Sequence, residues 1–491
     1  MSERVQGMNE RVQPVAYDRS QLAVGIVHIG PGVFHRAHQA WFTDVALAQP
    51  GVAPEWGLCE VALQRPDVPD ALNARQGLYT LAVLAEGTPL QTIGAVREAL
   101  FAPRELQTVV DRLAAPATRV VTLTITEKGY CTTREGELNL AHEDVQHDLR
   151  EPMRPRSAVG LLALGLRARH AAERAPWLAI SCDNLPDNSA RLRRALLQFL
   201  GETAPEVGRW LAGEGRFANT LVDSIAPAVT PALLERVQAA LGTRDAAAVH
   251  REPYTQWVLE DPGAIPRPAW EAAGALWVQD VKPWELAKLR VLNGGHSMLA
   301  YAGLLLGIGT MADAMATPLL AGFAERMLRA EVLPTLPRVV GLDHDAYLRS
   351  VLGRIGNPRL GHRLAQIGMD GSQKIPLRLL PCIRENLAAG RSIARLSMAV
   401  CLWLCFVRAQ ARQGIALSDP ADTALRAAGR ACSGVPEHDI ATFLAVREAF
   451  DADIAAMPAV RAALVAAYAA LGDAAPAQLA GALTDDTGEA R

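Results

Sequence analysis

Aromatic side chains are scarce in this sequence, at 5% of 491 residues, and neither sign of charge prevails, with 49 lysines and arginines against 52 aspartates and glutamates. Near-neutrality supplies no long-range pull toward nucleic acid or an anionic membrane. Cysteine is sparse as well. The seven (Cys59, Cys131, Cys182, Cys382, Cys401, Cys405 and Cys432) are odd in number and widely scattered, which argues against a disulfide framework. Cys401 and Cys405 lie one helical turn apart in an apolar run with no histidine nearby, so they read as small buried hydrophobes rather than metal ligands. That run, 393–407, is interrupted by Arg395 and falls short of the ~20 residues a membrane span needs. The polar start, Met1 to Ser20, lacks the apolar core of a secretory signal. These absences predict a cytoplasmic protein with neither membrane nor nucleic acid as partner, a monomer or small homo-oligomer.

What is present is ordinary globular material: half the residues are hydrophobic and 21% charged. The length implies two or three cores, and abundant alanine implies much helix. Residues 22–29 (LAVGIVHI) form a β-rich run that leads into GPGVFHRAH at 30–38 and then a helical pattern through Trp41, Phe42, Val45 and Ala46. Further strand-like runs follow at 56–63, 79–83, 120–125 and 176–181, with helical patterns at 106–114 and 158–171. This alternation predicts a largely parallel, doubly wound sheet. From about Trp284 strand-like runs become rare and alanine- and leucine-rich helical stretches take over. The expected architecture is therefore α/β: an N-terminal Rossmann-like doubly wound sheet over 1–283 and a mostly α-helical C-terminal domain over 284–491. The polar tail from about Gln478 is expected to fray.

Two segments carry chemistry. In Gly30-Pro31-Gly32-Val33-Phe34-His35 the first two glycines of a dinucleotide-binding turn are present, and His35 takes the place of the third. The turn follows the first strand and opens a helix, as a phosphate cradle requires; an ordinary strand–helix turn is the alternative. Arg36 either adds charge to the phosphate site or pairs with a surface carboxylate. After the second strand stands Gln64-Arg65-Pro66-Asp67. Asp67 favours NAD through the ribose hydroxyl, whereas Arg65 would welcome the phosphate of NADP.

The second segment is WELAKLRVLNGGHSMLAYAGLLLG from Trp284. On a straight α-helix, with Lys288 as origin, Asn293 falls near 140°, His296 near 80° and Glu285 near 60°, over roughly 16 Å of axis. A buried lysine with a lowered pKa accepts a hydroxyl proton. A carboxamide N–H stabilises the alcoholate left behind. His296 can hold a hydroxyl, and Glu285 can gate a proton path or form a salt bridge. Gly294-Gly295 in mid-helix offers close approach to cofactor or substrate, at roughly 1–2 kcal/mol of helix propensity. The competing reading is a snorkelling lysine with polar neighbours satisfied by the core. The strand ends at Asn184 and Asp223 offer one more amide and one more carboxylate, or else plain caps.

With these residues in view, the chain resembles the mannitol dehydrogenase family of polyol and sugar-acid dehydrogenases. The likeness runs from about Gly25 to at least Pro381. It is carried in order by GPGVFHRAHQAWFTD (30–44), TLTITEKGYC (122–131), SCDNLPDN (181–188), FANTLVD (217–223), EPYTQWVLED (252–261), KLRVLNGGHS (288–297) and DGSQKIP (370–376). The resemblance implies a nicotinamide domain, a helical domain with a cleft between the two, and metal-free oxidation of a CH–OH group on a small sugar-like substrate. It implies Lys288 as general acid/base, Asn184 and Asn293 as the oxyanion hole, His296 and Asp223 on the substrate, and Glu285 at a proton channel. It further implies Gly30, Gly32, Phe34, Arg36, Asp67 and Glu127 around the cofactor, and Lys374 near the substrate. Where the family commonly carries VDRI this chain has Ser224, and Gln366 stands where mannitol-type enzymes can carry arginine. WGLCEV (56–61) and QIGMDGSQKIP (366–376) look closer to fructuronate reductases, whose carboxylate substrate would want Lys374, Arg363 or Arg378. The expectation is D-mannonate/D-fructuronate, with mannitol or another polyol as the alternative. A polyol phosphate and a catalytically dead nicotinamide-binding regulator rank lower.

Overall fold

The computed structural model describes residues 11–133 and 135–484. The chain divides into two compact units between Val281 and Lys282. In the first, six parallel strands form the main sheet: β1 (Val24–Ile29), β2 (Gly57–Ala62), β3 (Val96–Phe101), β4 (Val120–Leu123), β5 (Leu178–Ser181) and β6 (Arg216–Phe217). Their spatial order is β3-β2-β1-β4-β5-β6, so strand order reverses between β1 and β4. In open α/β sheets of this order, ligands bind at the reversal, beyond the carboxyl ends of the strands.

The central strands are buried on both faces because both are covered. On one face Val27, Ile29, Cys59, Val61, Val121 and Leu123 pack with Leu113, Leu162 and Phe199. On the other, Ile26, Leu58 and Ile180 pack with Phe42, Trp257 and Trp270. The two-residue period of a strand divides these sets. Helices Ala102–Ala114 and Ala158–Ala171 occupy the stretches expected to be helical.

Tyr79–Val83 is a strand, but not of the parallel sheet. It pairs antiparallel with Leu90–Ile93 in a second sheet that also contains Val249–Arg251. The third parallel position belongs instead to β3, where Arg97 and Glu98 interrupt the apolar run and mask it as a strand. Thr220–Asp223 lies in a third, three-stranded sheet with Gln256–Glu260 and Leu276–Val278.

The second unit is helical, and among its described residues no strand is assigned, only an isolated bridge between Thr310 and Arg363. Its longest uninterrupted α-helix among the described residues, Ala394–Gln413, is 20 residues, longer than the apolar run that suggests it. By length and composition it would suffice to cross a membrane, yet 72% of its apolar window is buried within the chain. Cys401 and Cys405 are buried in it as small hydrophobes. The tail departs from expectation: Pro476–Thr484 is a helix that buries Leu479 and Leu483. Residues 485–491, the rest of the stretch expected to fray, and Met1–Glu10 lie outside the described residues.

Candidate functional site

β1 ends at Ile29, and the chain turns at once through Gly30. The Gly30 N–H donates to the carbonyl of Val61 at 2.9 Å, and its own carbonyl accepts from the Thr124 hydroxyl at 2.7 Å. Gly30 has φ +96°, and a Cβ there would overlap the carbonyl oxygen of Thr124. Only glycine meets both demands. At Gly32 a Cβ would meet no protein atom closer than 3.9 Å. Its missing side chain leaves open space rather than making room for the protein.

That space belongs to a cavity of about 540 Å³ lined by Gly30, Gly32, Gln64, Arg65, Thr124 and Ser157 among others. It sits beyond β1, β2 and β4, where strand order reverses. The TEKGYC loop on its rim is fixed by Asp183, whose carboxylate accepts from the backbone N–H groups of Ile125 (3.0 Å) and Thr126 (2.9 Å) and from the Tyr130 hydroxyl (2.6 Å). Burial raises the Asp183 pKa, while these donors oppose the rise.

Beneath the turn lies a polar core. The His28 and His35 rings stack with centroids 3.3 Å apart, and His35 Nε2 meets Glu60 Oε1 at 2.7 Å. All three residues are fully buried. Burial holds His35 down to about 3, with Arg36 adding to the shift, and pushes Glu60 up to about 7 against the pull of His28 and Arg36. The imidazole is therefore uncharged at neutral pH.

Several cofactor candidates take positions the sequence reading does not anticipate. Arg36 is a correction: it is 4% exposed, and neither lines the cavity nor pairs with a surface carboxylate. Its guanidinium donates to the carbonyls of Pro31 and Ala247, and its own carbonyl accepts from Tyr79. A buried guanidinium needs such acceptors, so the residue fastens the turn from behind. Phe34 stacks on His38 at 5.0 Å. Asp67 is exposed and paired to Arg65 at 2.6 Å. Arg65 lines the cavity and Asp67 does not. Glu127 is exposed between two cavity-lining residues, Thr126 and Lys128.

Asn184 is exposed just past β5, and Asp223 is buried at the end of Thr220–Asp223. The Asn188 carboxamide joins the two segments, donating to the carbonyls of Asp183 (3.0 Å) and Thr220 (2.9 Å).

In the second unit the lysine helix is not straight. An α-helix over Lys282–Ala287 widens into a π turn over Lys288–Asn293 before Gly294–Leu305 resumes α geometry. The Gly294 N–H donates to Leu289, five residues back. The straight-helix angles therefore fail across this turn. Hydrogen bonding from i to i+5 brings Lys288 and Asn293 toward one face. Gly294 and Gly295 are both buried, and Cβ atoms there would lie 3.4 Å from Leu379 and 3.3 Å from Leu328.

Lys288, Asn293 and His296 are each half-buried. Asn293, His296, Gln366, Arg363, Lys374 and Arg378 line a cavity of about 280 Å³ within this unit. Arg378 donates to the Asn293 carbonyl (3.2 Å) and the Ser297 hydroxyl (3.1 Å). Burial lowers Arg378 to about 10; burial and then Arg378 lower Lys374. Glu285 and Lys288 precede this group on the same helix.

Sequence reasoning passes over Asp183, Glu60 and the cavity-lining Cys131, His142 and Asp144. Glu60 has a signal, a lone carboxylate inside an apolar strand. Asp183 has a weaker one, an acid between a strand end and a turn. The other three have none, since residues 131, 142 and 144 meet only through the fold.

Comparison with known proteins follows the same division. Residues 24–272 match the model of the mannitol dehydrogenase Rossmann domain and residues 280–472 that of the mannitol dehydrogenase C-terminal domain. The D-mannonate oxidoreductase of Escherichia coli K12 is 39% identical over 82% of this chain and 85% of its own length. A D-sorbitol dehydrogenase structure in substrate-free form superposes with TM-score 0.87 at 28% identity, covering 96% of this chain and 97% of that one. The Pseudomonas fluorescens mannitol 2-dehydrogenase, in ternary complex with NAD and D-mannitol, gives TM-score 0.76 at 33% identity, covering 96% of each chain.

Proposed function

Because the chain belongs to the mannitol dehydrogenase family, we propose that it is an NAD-dependent oxidoreductase interconverting a secondary alcohol and a ketone on a polyol, in the manner of a mannitol 2-dehydrogenase. The observation that carries the reading is the cavity at the reversal of strand order, cradled by a glycine that no other residue can replace. When bound there, the dinucleotide supplies the hydride acceptor or donor.

The remaining work falls to side chains. Lys288 takes the hydroxyl proton as the alcohol is oxidised and returns it on reduction. Asn293 donates its carboxamide N–H to the alkoxide, and the π turn that joins it to Lys288 supports their acting together. His296 holds a neighbouring hydroxyl. The resemblance adds Asn184 as a second amide donor, Asp223 as a hydroxyl acceptor and Glu285 on the proton path. Gly30 and Gly32 admit the cofactor's phosphates. Glu127 lies on the cofactor rim. Asp67 discriminates NAD from NADP through the ribose, after yielding its exposed pairing with Arg65, which is weak at that exposure.

A second reading, a sugar acid such as mannonate, has its own support. Arg363, Lys374 and Arg378 line the same cavity as Asn293 and His296, and a carboxylate would find cationic partners there. NADH-driven reduction of fructose, fructuronate, tagaturonate and xylulose, repeated with NADPH, separates the two. Polyol dehydrogenase activity requires kcat/KM for fructose or xylulose to exceed that for both uronates at least tenfold. The reverse ratio selects the sugar acid, and no turnover of any of the four with either cofactor overturns both.

A further inference from the structure

A thiol, an imidazole and a carboxylate meet on the wall of the larger cavity. Cys131 ends the TEKGYC loop, while His142 and Asp144 stand at the start of helix Glu143–Arg150. One ligand atom from each lies within 4.8 Å of the other two, and all three residues line the cavity. Among the described residues the Cys131 sulfur makes one long contact, to the Gly129 carbonyl at 3.9 Å. His142 Nδ1 lies 3.9 Å from Asp144 Oδ2 and accepts from the Asp144 N–H at 3.2 Å, a hydrogen bond that a metal at Nδ1 would replace.

We propose that Cys131, His142 and Asp144 form a site for a thiophilic divalent cation of the zinc class, and that its occupancy blocks the cavity. Sulfur, imidazole nitrogen and carboxylate oxygen are the ligands zinc takes, at about 2.0–2.3 Å. Tetrahedral bonds of that length put ligand atoms about 3.5 Å apart, so closure by roughly an ångström completes a three-ligand site. Its fourth position, held by water, faces the cavity. On binding, the thiol S–H is broken, an S–metal bond forms, and the proton passes to solvent, with no change of oxidation state. The blocking rests on the dinucleotide reading of this cavity, whereas the metal binding does not.

The other cluster of this type among the described residues, His28, His35 and Glu60, is a poorer candidate. Its imidazoles are stacked, so their lone pairs do not converge, and both His28 nitrogens are engaged by Thr122, Thr124 and Gly30.

Titration of the full-length protein with Co²⁺ reads the first claim. One equivalent should give a sulfur-to-cobalt charge-transfer band that Zn²⁺ abolishes. Cys131→Ser should lose the band. Asp144→Asn and His142→Asn should weaken binding at least tenfold, and asparagine keeps an acceptor at the helix start. Far-ultraviolet circular dichroism of each variant confirms that the fold persists. NADH fluorescence titration reads the second claim: saturating Zn²⁺ should raise the apparent Kd for NADH at least tenfold in the native sequence and by less than twofold in Cys131→Ser. A thiolate band that survives in Cys131→Ser, or no band at any Co²⁺ concentration, overturns the site. A Kd for NADH unmoved by bound Zn²⁺ overturns the blocking. No NADH binding in metal-free protein overturns the dinucleotide reading and the blocking with it, while the band still decides the site.

Discussion

Lys288 opens the π turn with its side chain half-buried, and the chemistry assigned to it depends on its ability to lose a proton. Lys288→Ala removes that ability and leaves the glycine cavity untouched. Turnover should fall by about 10²–10⁴-fold, the usual contribution of a positioned acid/base, while the NADH Kd from fluorescence titration stays within about twofold. Lys288→Arg should not restore activity, because guanidinium does not deprotonate. Retention of full turnover in either variant would remove Lys288 from the reaction. Glu60 makes a second, independent case. Its folded-state pKa, raised to about 7 from 4.5, means that the folded chain holds a proton the unfolded chain has released between those values. This term therefore stabilises the fold fully below pH 4.5 and is lost as pH rises through 7. Glu60→Gln has no such term, so its stability relative to the native sequence, from urea denaturation, should improve between pH 4.5 and 7 and level off above. A difference that stays flat with pH would mean that Glu60 titrates normally.

At the scale of elements, the helix 282–305 shows how far periodicity can be trusted. Its existence and its polar face are written in WELAKLRVLNGGHS, but its phase is not. An i to i+5 bond adds one residue to a single turn, and no residue type enforces that choice. Packing of Gly294 and Gly295 against Leu379 and Leu328 accompanies it. Gly294 already has helical dihedrals, φ −64° and ψ −46°, and a Cβ there would meet Leu379 at 3.4 Å, an ordinary contact. Gly294→Ala should therefore stabilise the protein by about 0.4–1 kcal/mol through the unfolded chain, read as a higher denaturation midpoint at unchanged m-value. A lower midpoint would show that Leu379 cannot yield. β3 teaches the converse lesson. Charged Arg97 and Glu98 hide a strand from pattern reading because an edge position tolerates them.

Across the first unit as a whole, the cavity and a buried, heavily bonded arginine lie at opposite ends of the strands. The cavity lies at the carboxyl ends. Near the amino ends of β4 and β5, Arg169 is 4% exposed and donates to the carbonyls of Leu113, Ala115, Thr118 and Ala175. Arg169→Met should orphan these acceptors and lower stability by about 2–4 kcal/mol. NADH affinity should not change, because none of the carbonyls that Arg169 holds belongs to a residue lining the cavity. A tenfold weaker NADH Kd in a folded Arg169→Met protein would refute that separation.

Read from the chain alone, the alternation of strand and helix, the glycine turn and the presence of Lys288, Asn293 and His296 along one helix are already legible. These depend on local periodicity and on residues whose chemistry has few other uses. Long-range packing settles that Tyr79–Val83 leaves the parallel sheet, that Arg36 turns inward onto the Ala247 carbonyl, and that Cys131 meets His142 and Asp144. Each of those outcomes turns on partners distant in sequence. A buried donor takes whichever acceptor the fold brings near, and no local pattern of residues encodes which one that will be.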